Sequence, residues 1–285
     1  MADEACRNFR SYYYGKVGCR GIEEKKSLEI LLNEDPLDKE KISHFCLRFT
    51  VPALYRLQLW KILFGIEGLF PEHREFIQQQ KQEHFEMLKD PLFVMKKVDE
   101  TTPVQSLLLY MYLLEQGVIL SHMDSSEDAE YLKAIINACV DMFDSEFDAF
   151  WISRNFYRSR TKHSIDNELM VESVSTILKR EDLSLLEHLQ KINGLQILPF
   201  KKWLFQGFAG VLSVTSLERL WDKLIAGSTS ISSYVIASMM LTLRKKIKNI
   251  DNSISLLQFL LQISEVTAED IVTSAIDNWL QHGSQ

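Results

Sequence analysis

Apolar residues recur at helical spacing along most of this chain, and this periodicity constrains the fold more than any other feature. The stretches 53–66, 129–143 and 200–212 are predicted helices, and 167–192 has apolar positions at helical spacing with a break expected near residues 180–182. Alternating apolar and polar runs flanked by Asn-Gly or Asp-Gly, which would indicate β-hairpins, do not occur. Only 11 Gly and 6 Pro serve 285 residues, as expected for long helices joined by short loops. The sequence therefore predicts an all-α fold.

One short basic run lies within a chain whose net charge is negative. The chain has a formal net charge of −7, which argues against nucleic-acid binding because a phosphate-binding surface needs clustered Lys and Arg. The run RKKIK at 244–248 is best interpreted as a helix end, where cations interact favourably with the helix dipole. A contact with an anionic partner is the open alternative.

The most apolar stretch, PVQSLLLYMYLLEQG at 103–117, includes eight consecutive apolar residues. Its apolar part covers about 14 residues, or roughly 21 Å, which is short of the about 20 residues that cross a bilayer. The N-terminus MADEACRNFR has no export signal, and the four cysteines lack metal-ligand spacing. No phosphate loop, HExxH motif or GxSxG elbow occurs. We predict a cytoplasmic protein with no transmembrane segment, no metal and no cofactor.

The stretch 71–90 is polar on most faces and is predicted to form an exposed helix that Pro91 ends. Only a weak stripe runs along it, formed by Phe76, Gln80, Glu83 and Met87.

Several separate segments resemble the TBC domain, the domain of Rab GTPase-activating proteins. YRLQLWKILFGI at 55–66 is similar to the Arg-x-x-Leu-Trp-Lys helix near the start of that domain. FDAFW at 147–151 and the Asp-Leu and His-Leu pairs within 182–189 follow in the expected order. WLFQGF at 203–208 and LERLWDKL at 217–224 resemble the later tryptophan segments. The order and spacing agree over about 50–245.

This resemblance implies one all-helical, two-lobed TBC-like domain over 1–285, with an N-lobe at about 1–145 and a C-lobe at about 146–285. The tryptophans of these segments lie on apolar faces, so we expect them in the core. Arg219 and Asp222 are three residues apart on one helix and are predicted to pair.

The two catalytic motifs of active family members are degenerate here. Such members supply an arginine that stabilises charge in phosphoryl transfer and a glutamine that positions water. The resemblance places Val98 where the family has an aspartate and Thr101 where it has the arginine. The glutamine motif falls near Asp128 and Glu130, and no glutamine lies between Gln116 and Gln190. We therefore predict no GTPase-activating or other enzymatic activity.

An active Rab GTPase-activating protein that uses a displaced arginine is the alternative, with Arg154, Arg158 and Arg160 as candidate donors.

The N-terminal run, from Arg7 to Leu32, resembles one non-catalytic family member that is a subunit of the tuberous sclerosis complex. That resemblance implies binding to the C-terminal coiled coil of hamartin, with tuberin contacted through the complex, which acts on Rheb and restrains growth signalling. It also implies peripheral association with vesicle or lysosomal membranes through the complex. A Rab or a Rheb-type GTPase stays an open alternative partner.

The apolar helix 104–115 has two sides, and one of them must face the core. The resemblance favours a partner helix lying against the other side, while burial under a helix of the same chain stays open. The side that carries Glu115 is predicted to face outward. Its members are Val104, Leu107, Leu108, Met111, Tyr112 and Glu115.

Overall fold

The computed structural model describes residues 22–118, 126–162 and 164–283. It confirms the all-α prediction: these ranges hold fifteen helices, and their β-type pairing is limited to an isolated bridge between Ala209 and Leu212. The helices are α1 (Ile22–Leu32), α2 (Lys39–Arg48), α3 (Ala53–Phe64), α4 (Pro71–Val94), α5 (Val104–Glu115), α6 (Glu127–Met142), α7 (Glu146–Arg160), α8 (Asn167–Glu181), α9 (Leu183–Lys191), α10 (Phe200–Phe205), α11 (Val214–Ile225), α12 (Ile231–Thr242), α13 (Arg244–Ile247), α14 (Ser253–Leu260) and α15 (Glu265–His282). The resemblance over residues 7–21 and the cysteines Cys6 and Cys19 lie outside the described residues.

Aspartates set several of the helix starts. The carboxylate of Asp38 accepts hydrogen bonds from the backbone N–H groups of Glu40 and Lys41, both at 3.0 Å, and so caps α2. Asp182 ends α8 and caps α9 by accepting from the Leu185 N–H at 3.0 Å. This capping explains the break in the helical pattern near residue 182.

Two predicted boundaries are wrong. Pro91 does not end α4, which continues to Val94, because a proline in the last turn removes only one intrahelical hydrogen bond. The helix expected over 200–212 ends at Phe205. There Gly207 and Phe208 adopt positive φ angles of 55° and 66°, a conformation that an α-helix does not contain.

The chain forms two compact units that interleave along the sequence. The first unit combines the described part of Met1–Met123 with Phe143–Phe156 and Asp222–Ser228. The second unit combines the described parts of Asp124–Met142, Tyr157–Trp221 and Thr229–Gln285. This division differs from the predicted lobes with their single boundary near 145, because helices pack against partners that are distant in sequence.

A buried polar network organises the first unit. The Arg56 guanidinium donates to the Asp222 carboxylate, with Nε at 3.1 Å from Oδ1 and Nη2 at 3.2 Å from Oδ2. Trp60 Nε1 donates to the same Oδ1 at 2.9 Å, and Arg56 also donates to the Val51 carbonyl at 3.1 Å. Asp222 therefore pairs with Arg56 and not with Arg219, which donates instead to Thr273 Oγ1 at 2.9 Å within the second unit.

The next residue extends this network. The buried ammonium of Lys223 donates to the carbonyls of Cys46 and Phe49, each at 2.6 Å, at the C-terminus of α2. A cation is favourable there because the helix dipole and the unpaired carbonyls are both negative. Ser43 Oγ donates to the Ala226 carbonyl at 2.7 Å. Residues 222–226 thus hold α2 and α3 together.

The second unit is built around α12, which is buried on all sides from Ile231 to Met240 and packs against α8 and α15. The buried Trp221 donates from Nε1 to the Gly207 carbonyl at 2.8 Å, where the chain turns after α10. The expectation that the motif tryptophans lie in the core is confirmed, since all of them are fully buried: Trp60, Trp151, Trp203 and Trp221.

We predict that Arg56→Met destabilises the protein by about 3–5 kcal/mol, because it leaves the buried Asp222 carboxylate without its counter-charge. Adding Asp222→Asn should recover part of this loss by removing the uncompensated charge. Urea denaturation measures both effects, with the exposed Arg244→Met as control. An Arg56→Met midpoint equal to that of the control would contradict the network.

Candidate functional site

The segment expected to hold a degenerate arginine motif forms a self-contained turn between α4 and α5. Asp99 Oδ1 accepts hydrogen bonds from the Thr101 N–H at 2.9 Å, from Thr101 Oγ1 at 2.6 Å and from Thr102 Oγ1 at 3.2 Å. The Asp99 N–H in turn donates to Thr102 Oγ1 at 2.9 Å. These bonds, led by that from the Thr101 hydroxyl, hold the pKa of Asp99 below its usual value. Thr101 is exposed, but its hydroxyl is already engaged by Asp99.

The surroundings of this turn are open and partly charged. Val98, which the resemblance places at the family's aspartate position, is buried and anchors the turn. A shallow cavity of about 450 Å³ lies beside it, lined by Phe93, Lys96, Lys97, Val98, Asp99 and Glu100. Thr101 offers no positive charge for a transferring phosphoryl group.

The segment expected to hold a degenerate glutamine motif lies at the start of α6, in the second unit. Asp128 and Glu130 are both exposed in the first turn, where acidic side chains interact favourably with the helix dipole. Glu130 accepts from Lys202 Nζ at 2.6 Å, and Glu127 accepts from Lys201 Nζ at 3.1 Å. The carboxylates of Glu127 and Glu130 are therefore engaged in surface ion pairs.

Two of the candidate displaced arginines have partners of their own. Arg154 Nε donates to Glu115 Oε2 at 2.7 Å, and its guanidinium lies 5.0 Å from the centre of the Trp151 ring. Arg160 Nε donates to the Leu204 carbonyl at 3.1 Å, and burial lowers the pKa of Arg160 to about 10. Arg158 is exposed at the end of α7. Arg154 lies in the first unit, and the other two arginines lie in the second.

The predicted outward side of α5 is not outward. Leu107, Leu108 and Met111 are buried within the chain, whereas Val104, Tyr112 and Glu115 are partly buried. Glu115 is held by Arg154, and α5 packs against α4. The expectation of a free face is wrong for the three buried residues, since both sides of this apolar helix find partners in its own unit.

A different helix exposes apolar side chains. Along α4, Phe76, Met87 and Val94 are 64%, 72% and 81% exposed. At 100° per residue these three fall on one stripe, together with the exposed Gln80 and Glu83. The opposite side of the helix is buried through Phe85, Leu88 and Leu92. The exposed-helix prediction is confirmed, but the apolar stripe is longer than its sequence pattern indicated.

Comparisons with known proteins agree on one family. The profile of the Rab-GTPase-TBC domain matches residues 54–248. The chain is 38% identical over 286 residues to TBC1 domain family member 7 of Xenopus tropicalis, covering 99% of this chain and 97% of that protein. It is 36% identical to the Homo sapiens protein of the same name, with coverage of 99% and 97%.

Solved structures agree in fold. The Ypt/Rab-GAP domain of Gyp1p aligns with a TM-score of 0.58 at 15% identity, covering 91% of this chain and 98% of that domain. The Chlamydomonas flagellar RabGAP TBC domain aligns with a TM-score of 0.61 at 13% identity, covering 95% of this chain and 92% of that domain. Within the described ranges, no helix is both long and apolar enough to cross a bilayer.

We predict that the protein does not accelerate GTP hydrolysis by any Rab, and that Thr101→Arg alone does not create the activity, because no glutamine stands near residues 128–130 to position water. Single-turnover hydrolysis over a Rab panel measures this, with an active TBC domain as positive control. Acceleration by the unchanged protein of more than about a hundredfold would contradict the prediction, since an arginine finger contributes roughly 10³ or more.

We predict that Leu108→Asp abolishes folding instead of selectively removing a binding surface, because it buries a carboxylate without a partner. Gln116→Asp, at the exposed C-terminal end of α5, is the matched control. Its free energy of unfolding should stay within about 0.5 kcal/mol of that of the unchanged protein. Circular dichroism melting distinguishes the two. A Leu108→Asp variant with native melting behaviour would show that this residue is accessible after all.

Proposed function

This chain belongs to the Rab-GTPase-TBC domain family, and on that premise we propose that it is a non-catalytic interaction subunit within that family. The main support for this proposal is the turn formed by Asp99–Thr102. A neutral threonine occupies the expected arginine position, and its hydroxyl is bonded to Asp99. A site without that cation lacks the main electrostatic support for GTP hydrolysis. The TBC scaffold then serves to present a surface.

We propose further that the partner is the C-terminal coiled coil of hamartin, and that the protein supports assembly of the complex that contains tuberin and acts on Rheb. Similarity to TBC1 domain family member 7 over nearly the whole chain supports this choice of partner. A cytoplasmic location, with peripheral association with vesicle or lysosomal membranes through the complex, follows from the same proposal.

The stripe on α4 replaces the α5 side as the proposed docking surface. Phe76 and Val94 are eighteen residues apart, so the stripe extends over about 27 Å. That length suits several turns of an amphipathic helix lying alongside, with Phe76 and Met87 as apolar anchors. Methionine adapts well to such surfaces. The opposite face of α4 is fixed in the core by Phe85 and Leu92, so docking needs no rearrangement of the helix.

Acidic and amide groups lie on and beside this stripe. Glu83 accepts from Gln79 Nε2 at 2.8 Å and from Gln80 Nε2 at 3.1 Å, while Glu86 accepts from Gln82 Nε2 at 2.7 Å. These glutamines hold the two carboxylates in place on the exposed surface. The complementary partner is a coiled-coil helix whose apolar seam is flanked by Lys or Arg.

We predict that Phe76→Asp and Met87→Asp each abolish binding to a hamartin coiled-coil fragment while leaving the melting temperature within a few degrees of native. The reason is that an aspartate on a solvated face costs the free protein little, whereas the same aspartate in an apolar interface is a desolvated charge. Pull-down beside thermal melting measures both effects.

Leu54→Asp is the matched control, because Leu54 is 82% exposed and lies on α3, outside the stripe on α4. It should bind normally. Loss of binding in Leu54→Asp together with retention in the α4 variants would exclude the stripe. Absence of binding by the unchanged, folded protein would exclude the proposed partner.

A further inference from the structure

The basic run at 244–248 presents unpaired cations in the second unit. Arg244, Lys245 and Lys246 are all exposed on the short helix α13. Arg244 and Lys245 form no side-chain hydrogen bond or ion pair with any residue that the structure describes. Lys246 Nζ lies 5.8 Å from the centre of the Phe259 ring, which places α13 beside α14.

One side of the short helix α13 is buried and hydrogen-bonded to its own unit, whereas the three cations are exposed to solvent. Ile247 is fully buried. Lys248 Nζ lies 2.6 Å from Ser184 Oγ and 3.3 Å from the Asp182 carboxylate. His188 Nε2 lies 3.1 Å from the carbonyl oxygens of both Ile247 and Ile250. The one basic residue with an acidic partner is therefore the one that anchors the helix.

The helix-dipole interpretation accounts for only part of this surface. Arg244 follows Leu243, the C-cap residue of α12, and Arg244, Lys245 and Lys246 stand in the last turn of α13, where cations are favourable. The helix dipole gives no reason for the exposed apolar side chains on the next helix.

Exposed apolar side chains lie along the neighbouring α14. Ile254 and Leu261 are 64% and 55% exposed, while Leu256 and Leu260 on the other side of the helix are buried. At 100° per residue, Ile254, Gln258 and Leu261 share one stripe. Leu261 also lines an open cavity of about 480 Å³, with the exposed Lys133 on its wall. One cation, Lys246, therefore lies beside Phe259 of α14, and another, Lys133, shares the cavity wall with Leu261 and the acidic Glu130.

The local charge is opposite to that of the whole chain. Residues 243–262 contain four basic residues and one acid, Asp251, in a protein whose net charge is −7. Basic residues beside an exposed apolar stripe are the features by which a surface helix binds an anionic bilayer, with the apolar side chains in the headgroup boundary and the cations at the lipid phosphates.

We propose that α13 and α14 form a membrane-binding surface for anionic lipids, with Arg244, Lys245 and Lys246 as the electrostatic part and Ile254 and Leu261 as the inserting part. A membrane fits better than an acidic peptide because the exposed apolar side chains of Ile254 and Leu261 can insert into the headgroup boundary, whereas an acidic peptide would need only the cations. This surface is independent of the proposed hamartin site, since it lies on other helices and needs no partner protein.

The test is co-sedimentation of the isolated full chain with phosphatidylcholine vesicles with and without phosphatidylserine. The unchanged protein should bind only the anionic vesicles, and added salt should weaken binding. Arg244→Glu with Lys245→Glu should reduce partitioning at least about 25-fold, since each cation near an anionic surface contributes about fivefold. Ile254→Ser with Leu261→Ser should also reduce partitioning without changing the charge.

The matched control is Lys96→Glu with Lys97→Glu, which makes the same charge change at two exposed residues of the first unit. It should keep nearly native binding. An equal loss in the control and the α13 variant would show a general charge effect and overturn the proposal. So would absence of binding to anionic vesicles, or binding to polyglutamate alone, which would assign the patch to an acidic protein.

Discussion

The first unit depends on one buried interaction, in which Asp222 receives hydrogen bonds from both Arg56 and Trp60. Burial by itself raises the pKa of Asp222, and the charge of Arg56 opposes that rise. A buried carboxylate is tolerable only when its lone pairs are satisfied, so the geometry of α3 around it is strictly constrained. Lys223 then fixes the end of α2 through two carbonyls. Packing of the remaining apolar residues follows from this arrangement.

How much the sequence could predict depended on whether a helix had a polar face. The fold class followed from periodicity, and the core positions of Trp60 and Trp221 followed from the motifs that contain them. The orientation of α5 could not be predicted, because a helix that is apolar on all sides gives no direction to the core: Leu108 and Leu109 are both buried. The pairing of Asp222 was also missed, since its partner is 166 residues away.

The turn at Asp99–Thr102 is stabilised by its own residues. Asp99 Oδ1 accepts hydrogen bonds from the Thr101 N–H and from the hydroxyls of Thr101 and Thr102, so the turn needs no contact with a bound partner to hold its shape. Val98 contributes burial where a charged side chain would need a partner. A turn stabilised in this way keeps the helices before and after it in place. Surfaces such as the stripe on α4 are therefore available for other uses without any change in the scaffold.

The interleaving of the two units has a consequence for synthesis. Arg56 and Trp60 leave the ribosome long before Asp222, which follows Arg56 by 166 residues. At about 5–20 residues per second, the first helices wait roughly ten to thirty seconds for their counter-charge. During that interval the apolar face of α3 lacks the residues that complete its core. The first unit cannot complete its core until residues Asp222–Ser228 have been synthesised, so its folding is closer to post-translational than to domain-by-domain.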